Sequence, residues 1–212
     1  MAIRLRRNSV FIHVPKTGGT WVTKLLWETG LADGEVGRAH ATPAELADCP
    51  VWRDGVRPLF FAFVRHPLTW YQSYWSYRQK NGWHKPSPLE PQAPIRTVEL
   101  DANCASDDFE QFVRNVVDRY PRGWVSHLYR HYTAGCAFVG RFERLREDLL
   151  HVLLLGREPL EPQAVAAIRT SQPENTASAD AQYAPLCRYS EDLRALVCQT
   201  EREAMDAWGY RA

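Results

Sequence analysis

Long apolar runs and an excess of either charge are missing from this sequence, and each absence excludes a class of protein. The 212 residues carry 26 Lys and Arg against 25 Asp and Glu, which gives a net charge of +1. A general nucleic-acid binder carries a basic excess, so this balance argues against nucleic acid as a partner. The apolar run after the basic first residues covers only residues 10–14. That run is too short for a signal-peptide core or a membrane span.

The chain also lacks the cysteine spacings of metal sites and disulfide frameworks. Its five cysteines form no C-x-x-C pair, and an odd number cannot all pair with one another. We therefore expect reduced thiols, no bound metal ion and a cytoplasmic protein. No internal repeat, linker or low-complexity tract divides the sequence, and its length predicts one domain over residues 1–212.

The signature of the nucleotide-triphosphate P-loop is missing as well, because no G-K-[ST] occurs in the chain. A different phosphate-binding pattern is present. Residues 10–14 predict a buried strand, and a helix is predicted from Thr20. Between them, Gly18 and Gly19 allow a tight turn. The free N–H groups of the first helical turn, the helix dipole and the charge of Lys16 would together attract an anion.

Two motifs carry a resemblance to a known family. The first closely resembles the 5′-phosphosulfate loop of sulfotransferases that use 3′-phosphoadenosine 5′-phosphosulfate (PAPS), and it consists of Pro15, Lys16, Thr17, Gly18, Gly19, Thr20 and Trp21. The second follows a predicted strand at residues 59–64 and is similar to the family's 3′-phosphate motif, with Arg65, Pro67 and Ser73. An arginine at the carboxyl end of a strand suits a phosphate because its planar fork can donate two hydrogen bonds.

The alternation of strands and helices predicts an α/β protein with a mainly parallel central sheet and helices on both faces. The resemblance implies the three-layer sandwich of the P-loop NTPase-like sulfotransferase fold. A third strand is expected at residues 137–142 and helices at residues 143–155, 162–169 and 190–207. Another helix is expected to begin with Ser106 as its cap.

The resemblance also implies roles for individual residues. Lys16, helped by the main-chain N–H groups of residues 17–20, would stabilise the charge that grows on the leaving nucleotide. Arg65 and Ser73 would hold the 3′-phosphate. Several carbohydrate sulfotransferases of this type place a histidine or glutamate base after the first helix, which implies His40 as the base. This scheme requires no metal.

Read from the residues alone, His40 is more commonly a plain surface histidine. Thr42, Pro43 and Glu45 predict a capping box at the start of a short helix. That helix start leaves His40 in the loop just before it. If His40 is not the base, Glu35 and Glu45 are the next candidates.

The sequence therefore predicts a sulfotransferase that moves the sulfuryl group of PAPS to an acceptor hydroxyl. The first motif is closer to carbohydrate sulfotransferases than to those acting on phenols and steroids, so a carbohydrate or glycoconjugate is the expected acceptor. A P-loop small-molecule kinase is an alternative, although it should show G-K-[ST]. A non-catalytic nucleotide- or glycan-binding module is another, and Lys16, Arg65 and Ser73 argue against it. The oligomeric state is not predicted.

Three further segments are candidates for contact with substrates. The proline-rich loop at residues 84–103 is hypothesised to be a substrate-covering lid. The aromatic segment before it either packs in the core or lines an acceptor cleft, with candidates Tyr77, Arg78, Trp83, His84 and Lys85. Arg169, Ser171 and Asn175 lie where the family often closes over PAPS, and they are assigned no role.

Overall fold

The computed structural model describes residues 2–38, 40–47, 49, 58–83, 97–172 and 182–212. Contacts divide the chain into two compact units, each made of two stretches. The first unit consists of Met1–Arg65 and Arg130–Glu174, and the second of His66–Tyr129 and Asn175–Ala212. The prediction of one domain over residues 1–212 stays a prediction.

The first unit contains a five-stranded sheet, in the order β3-β1-β2-β4-β5. Its strands are β1 (Ala2–Leu5), β2 (Ser9–Ile12), β3 (Ala32–Val36), β4 (Leu59–Val64) and β5 (Phe138–Arg141). The β2–β4 and β4–β5 pairs are parallel, whereas β1 runs antiparallel to both of its neighbours. The protein is therefore α/β, as predicted. The predicted parallel sheet holds for the β2-β4-β5 part, and β1 makes the other part antiparallel.

The two pairings of β1 were not predicted, because neither β1 nor β3 has the long apolar sequence of a buried strand. The sequence of β1 is Ala-Ile-Arg-Leu, and that of β3 is Ala-Asp-Gly-Glu-Val. By contrast, β2 is fully buried, and five of the six residues of β4 are buried. Strands covered on both faces become continuously apolar, which makes β2 and β4 easy to recognise.

Helices account for most of the remaining described residues. They are α1 (Gly19–Glu28), α2 (Pro43–Leu46), α3 (Pro67–Asn81), α4 (Val98–Cys104), α5 (Phe109–Arg119), α6 (Trp124–Thr133), α7 (Leu145–Leu155), α8 (Pro162–Thr170), α9 (Glu191–Thr200) and α10 (Arg202–Ala207). None of the helices in the described ranges has both the length and the apolar content needed to cross a bilayer.

Several predicted boundaries shift by a few residues. A short 3-10 helix, Phe142–Arg144, precedes α7, so the predicted helix at residues 143–155 starts later as an α-helix. Asp108, and not Ser106, caps α5, because its side chain accepts the main-chain N–H of Gln111 at 2.7 Å. Ser106 accepts the N–H of Asp108 in the turn before the helix.

Two other predicted segments also differ. The predicted terminal helix is interrupted at Glu201, which ends α9 before α10 begins. The predicted lid at residues 84–103 includes the helix α4 at its end, and residues 84–96 lie outside the described residues. The lid hypothesis therefore stays a prediction.

One apolar cluster joins α1, α7 and the sheet of the first unit. Leu25 and Leu26 of α1 are buried against the same cluster as Phe61 and Leu149. The apolar residues of α1 recur at helical spacing, so they share the face that packs on the sheet. This packing fixes where α1 begins relative to the end of β2.

Glu158, which follows α7, holds the turn between β1 and β2. Its carboxylate accepts main-chain N–H groups from Arg7, Asn8 and Ser9 at 3.0, 3.4 and 3.1 Å. Glu158 is buried, so these three donors have a charged acceptor in place of water. The turn sets the start of β2, the strand that leads to the candidate site.

Replacing Glu158 with alanine should lower the free energy of unfolding by about 2–3 kcal/mol, because the buried main-chain N–H of Ser9 and the partly buried ones of Arg7 and Asn8 lose their acceptor. Urea denaturation measures this loss. Glu161→Ala is the matched control: Glu161 is exposed and its side chain makes no capping hydrogen bond to α8. The control should change stability by less than about 0.5 kcal/mol. Equal losses in the two variants would contradict this account of the turn.

Candidate functional site

The turn between β2 and α1 contains two residues with a left-handed backbone. Lys16 and Gly18 both adopt left-handed conformations, with φ of 67° and 87°. Such reversals let neighbouring main-chain N–H groups point into one concave surface. A positive φ is costly for lysine, which identifies Lys16 as a residue held in place by its surroundings.

The start of α1 has no acidic side chain to satisfy it. Gly18 is the N-cap residue, it makes no side-chain capping bond, and the first turn contains no Asp or Glu. The positive end of the helix dipole therefore has no carboxylate from its own first turn beside it, and it favours an anion. Pro15 and Thr20 flank this region and are half-buried and exposed, respectively.

Side chains around the turn keep its shape. The Thr17 hydroxyl donates a hydrogen bond to the main-chain oxygen of Val14 at 2.9 Å, and this bond stabilises the turn. A Cβ on Gly18 would lie 2.8 Å from Leu145 Cδ2 and 3.0 Å from Phe142 Cδ2. Glycine is needed at position 18 for two reasons, its left-handed backbone and the lack of space.

Arg65 reaches the same turn from the end of β4. Its Nη1 lies 3.5 Å from the main-chain oxygen of Lys16, and its guanidinium stacks over the Phe142 ring at 4.3 Å. Phe142 follows β5, so three adjacent parallel strands contribute to one edge of the sheet. This is the edge at which open α/β sheets bind their ligands. The structure thus brings together Lys16 and Arg65, one from each predicted motif.

His40 also lies at this turn. Its Nδ1 is 3.0 Å from the main-chain oxygen of His13, the residue that follows β2. A carbonyl oxygen can only accept, so the neutral His40 ring carries its proton on Nδ1. Its Nε2 then has the lone pair that a base requires. Among the predicted site residues, His40, Lys16 and Arg65 all lie within the first unit.

The two glutamates considered as alternative bases lie in different settings. Glu45 forms the predicted capping box with Thr42, whose N–H it accepts at 2.8 Å, and it also accepts from Arg38 Nε at 3.0 Å. Partial burial acts to raise the pKa of Glu45, but these hydrogen bonds outweigh it and lower that pKa. A carboxylate so engaged is a poor base. Glu35 is exposed on β3, at the opposite edge of the sheet from β5.

His13 was not predicted as a site residue. Its pKa is lowered to about 3, chiefly by burial and then by the positive charge that His40 can carry and that of Lys16. The ring is therefore uncharged at neutral pH. The available signal was a single polar residue in the otherwise apolar stretch 10–14, directly before Pro15.

The other predicted site residues have different surroundings. Trp21 is 3% exposed in the core of the first unit, and within the described ranges its Nε1 has no hydrogen-bond partner. Arg146 lies over its ring at 5.8 Å and donates to the main-chain oxygen of Ser171 at 2.6 Å. Ser73 is 4% exposed on α3 and belongs to the second unit.

The proposed acceptor-cleft residues that are described belong to the second unit. Arg78 pairs with the buried carboxylate of Asp101 at 2.5 Å, and Trp83 Nε1 donates to Asp107 at 3.2 Å. These two side chains thus have structural partners. Tyr77 is 39% exposed. His84, Lys85 and Asn175 lie outside the described residues.

Comparison of the chain with protein-family models, with curated proteins and with solved structures finds no match in any of the three. Within the ranges that the structure describes, there is also no cluster of three or more His, Cys, Asp or Glu that could hold a metal ion.

Gly18→Ala should cost more stability than the same change at Gly209. Both glycines have positive φ, but a Cβ on Gly209 meets nothing within 4 Å, whereas one on Gly18 overlaps Leu145. We expect about 1 kcal/mol for Gly209→Ala from backbone strain and about 2–3 kcal/mol for Gly18→Ala from strain plus crowding. Thermal and urea unfolding measure both. Equal costs would show that the turn tolerates a side chain at position 18.

Proposed function

We propose that this chain is a PAPS-dependent sulfotransferase with the P-loop NTPase-like, three-layer sulfotransferase fold. The observation that carries the proposal is the 3.5 Å approach of Arg65 Nη1 to the main-chain oxygen of Lys16. PAPS has anionic groups at its 5′ and 3′ positions. Its recognition therefore requires two cationic groups close enough together to contact one nucleotide. Lys16 and Arg65 lie at a single sheet edge and would supply two such cations.

The 5′-phosphosulfate would lie at the start of α1. The uncapped helix N-terminus and the left-handed residues Lys16 and Gly18 favour an anion there. Arg65 would take the 3′-phosphate with its planar guanidinium, which Phe142 keeps in position. A role for Ser73 on the same phosphate remains the expectation from its motif.

The reaction would be an in-line transfer of the sulfuryl group. The acceptor oxygen forms a bond to sulfur while the bond from sulfur to the bridging phosphate oxygen breaks, and that bond's electrons stay on the nucleotide. His40 Nε2 takes the proton of the acceptor hydroxyl. Lys16 and the main-chain N–H groups of the turn stabilise the charge on the departing oxygen.

The acceptor class rests on the sequence motif alone. We propose a carbohydrate or glycoconjugate hydroxyl, because the Pro15–Thr20 segment resembles the loop of carbohydrate sulfotransferases more than that of sulfotransferases acting on phenols and steroids. A panel of mono- and oligosaccharides, phenols and steroids, each incubated with PAPS, would identify the class by sulfate transfer.

Binding of 3′-phosphoadenosine 5′-phosphate, the product nucleotide, directly tests the proposed roles of Lys16 and Arg65. By calorimetry, Lys16→Ala and Arg65→Ala should each weaken binding by about 10- to 100-fold, since each removes a charge-assisted hydrogen bond. Lys24→Ala is the matched control, because Lys24 is an exposed lysine of α1, and its pair with Glu28 is on the helix surface at 3.8 Å. It should leave the affinity unchanged. Absence of binding by the wild-type chain would refute the proposal.

His40→Ala should lower kcat by about 100- to 10,000-fold, the usual contribution of a general base. Nucleotide affinity should stay within about twofold, because His40 touches the acceptor and not the donor. His151→Ala, an exposed histidine of α7, serves as the control. Near-normal turnover by His40→Ala would place the base elsewhere. Nucleotide binding by the wild-type chain without transfer to any acceptor would favour a non-catalytic binding module.

A further inference from the structure

The His13 side chain connects the sheet to the candidate base. Its ring stacks on that of Phe11, with centroids 6.0 Å apart and planes 22° apart. It also meets the His40 ring edge-to-face at 5.2 Å. Because Phe11 is a buried residue of β2, the His13 ring is held by the sheet as well as by the loop.

The same ring lies directly against the first residue of α1. A Cβ on Gly19 would be 2.1 Å from His13 Cδ2 and 2.3 Å from His13 Nε2. Atoms in a packed interior do not approach so closely. The imidazole therefore occupies the volume that a side chain at position 19 would need, and a side chain added there would displace the ring.

His40 needs support to keep its conformation. Its backbone is left-handed, with φ of 56°, which costs a residue other than glycine about 1 kcal/mol or more. His13 supplies the main-chain acceptor for His40 Nδ1 and an edge-to-face ring contact. Tyr132 meets the His40 ring at 6.5 Å, with the planes 81° apart.

We propose that the His13 side chain is a positioning residue, which keeps the His40 ring in a fixed place beside the first turn of α1. The inference rests on the proposed function, in which His40 is the base. His13 itself acts through His40 and Gly19 and takes no proton from the acceptor.

The charge state of His13 agrees with this role. Its pKa of about 3 leaves it neutral while His40 takes up a proton, and both the protonated His40 ring and Lys16 disfavour a positive charge on it. A second positive charge beside His40 would disfavour the imidazolium that forms when His40 takes a proton. A neutral ring provides support without that repulsion.

A double-mutant cycle tests the packing argument. His13→Ala should lower kcat by about 10- to 100-fold, since a misplaced base loses alignment, and it should leave nucleotide affinity within about threefold. Gly19→Ala should also lower kcat, because its Cβ displaces the ring. In the double variant that Cβ enters the vacated space. Its kcat should exceed, by at least about threefold, the value expected if the two losses simply multiplied. Losses that multiply fully would overturn the proposal.

Replacing His13 with phenylalanine distinguishes a positioning role of the ring from a chemical role of its nitrogen atoms. His13→Phe keeps a planar ring on Phe11 and should retain a kcat at least about threefold above that of His13→Ala. If His13→Phe falls as far as His13→Ala while still binding nucleotide, the imidazole nitrogens act directly and the positioning role is wrong. Normal kcat in His13→Ala would overturn it as well.

Nitrogen-detected NMR of the His40 ring gives a readout that needs no catalytic activity. In the wild-type chain His40 should be in the Nδ1–H form. His13→Ala keeps the main-chain acceptor of residue 13, but without the ring contact the His40 ring should leave that acceptor for part of the time and populate both tautomers. The same His40 tautomer state in the wild-type chain and in His13→Ala would refute the positioning role. Failure of the proposed function would appear separately, as an absence of nucleotide binding and sulfate transfer with the tautomer difference still present.

Discussion

The in-register parallel pairing of β2 with β4 is the constraint on which the candidate site depends. Ile12 pairs with Ala62, so both strands end at the same edge of the sheet. That common edge lets Arg65 reach the turn at Lys16, and β5 adds Phe142 beneath the guanidinium. A slip of one residue in β4 would turn its side chains to the opposite face and remove Arg65 from the turn.

The features that sequence reasoning predicted are those with local causes. The buried strands β2 and β4 follow from continuous apolar residues, and the capping box of α2 follows from the spacing of Thr42 and Glu45. The turn before α1 follows from its glycines, of which Gly18 has the left-handed backbone. Each of these signals lies within a few residues, where steric rules and hydrogen-bond geometry act directly.

The features that were missed depend on contacts between distant residues. The position of the His13 side chain depends on its contacts with Gly19 and with His40, which is 27 residues away along the chain. The pairing of β1 with both β2 and β3 depends on the whole sheet, because the β3 sequence has three small or acidic residues in the middle. A single sequence contains no local signal for such pairings, which arise only when tertiary packing selects them.

The Glu158 carboxylate that holds residues 7–9 has a consequence for the order of assembly. Its acceptor atoms come 149 to 151 positions after the donors that they satisfy. During synthesis the chain emerges from its N-terminus, so the β1–β2 turn stays without its acceptor until the polypeptide has been made as far as Glu158. Contacts of such long sequence separation form late, because loop-closure entropy must first be overcome. The start of β2 therefore gains its charged acceptor only after α7, which precedes Glu158, has been synthesised.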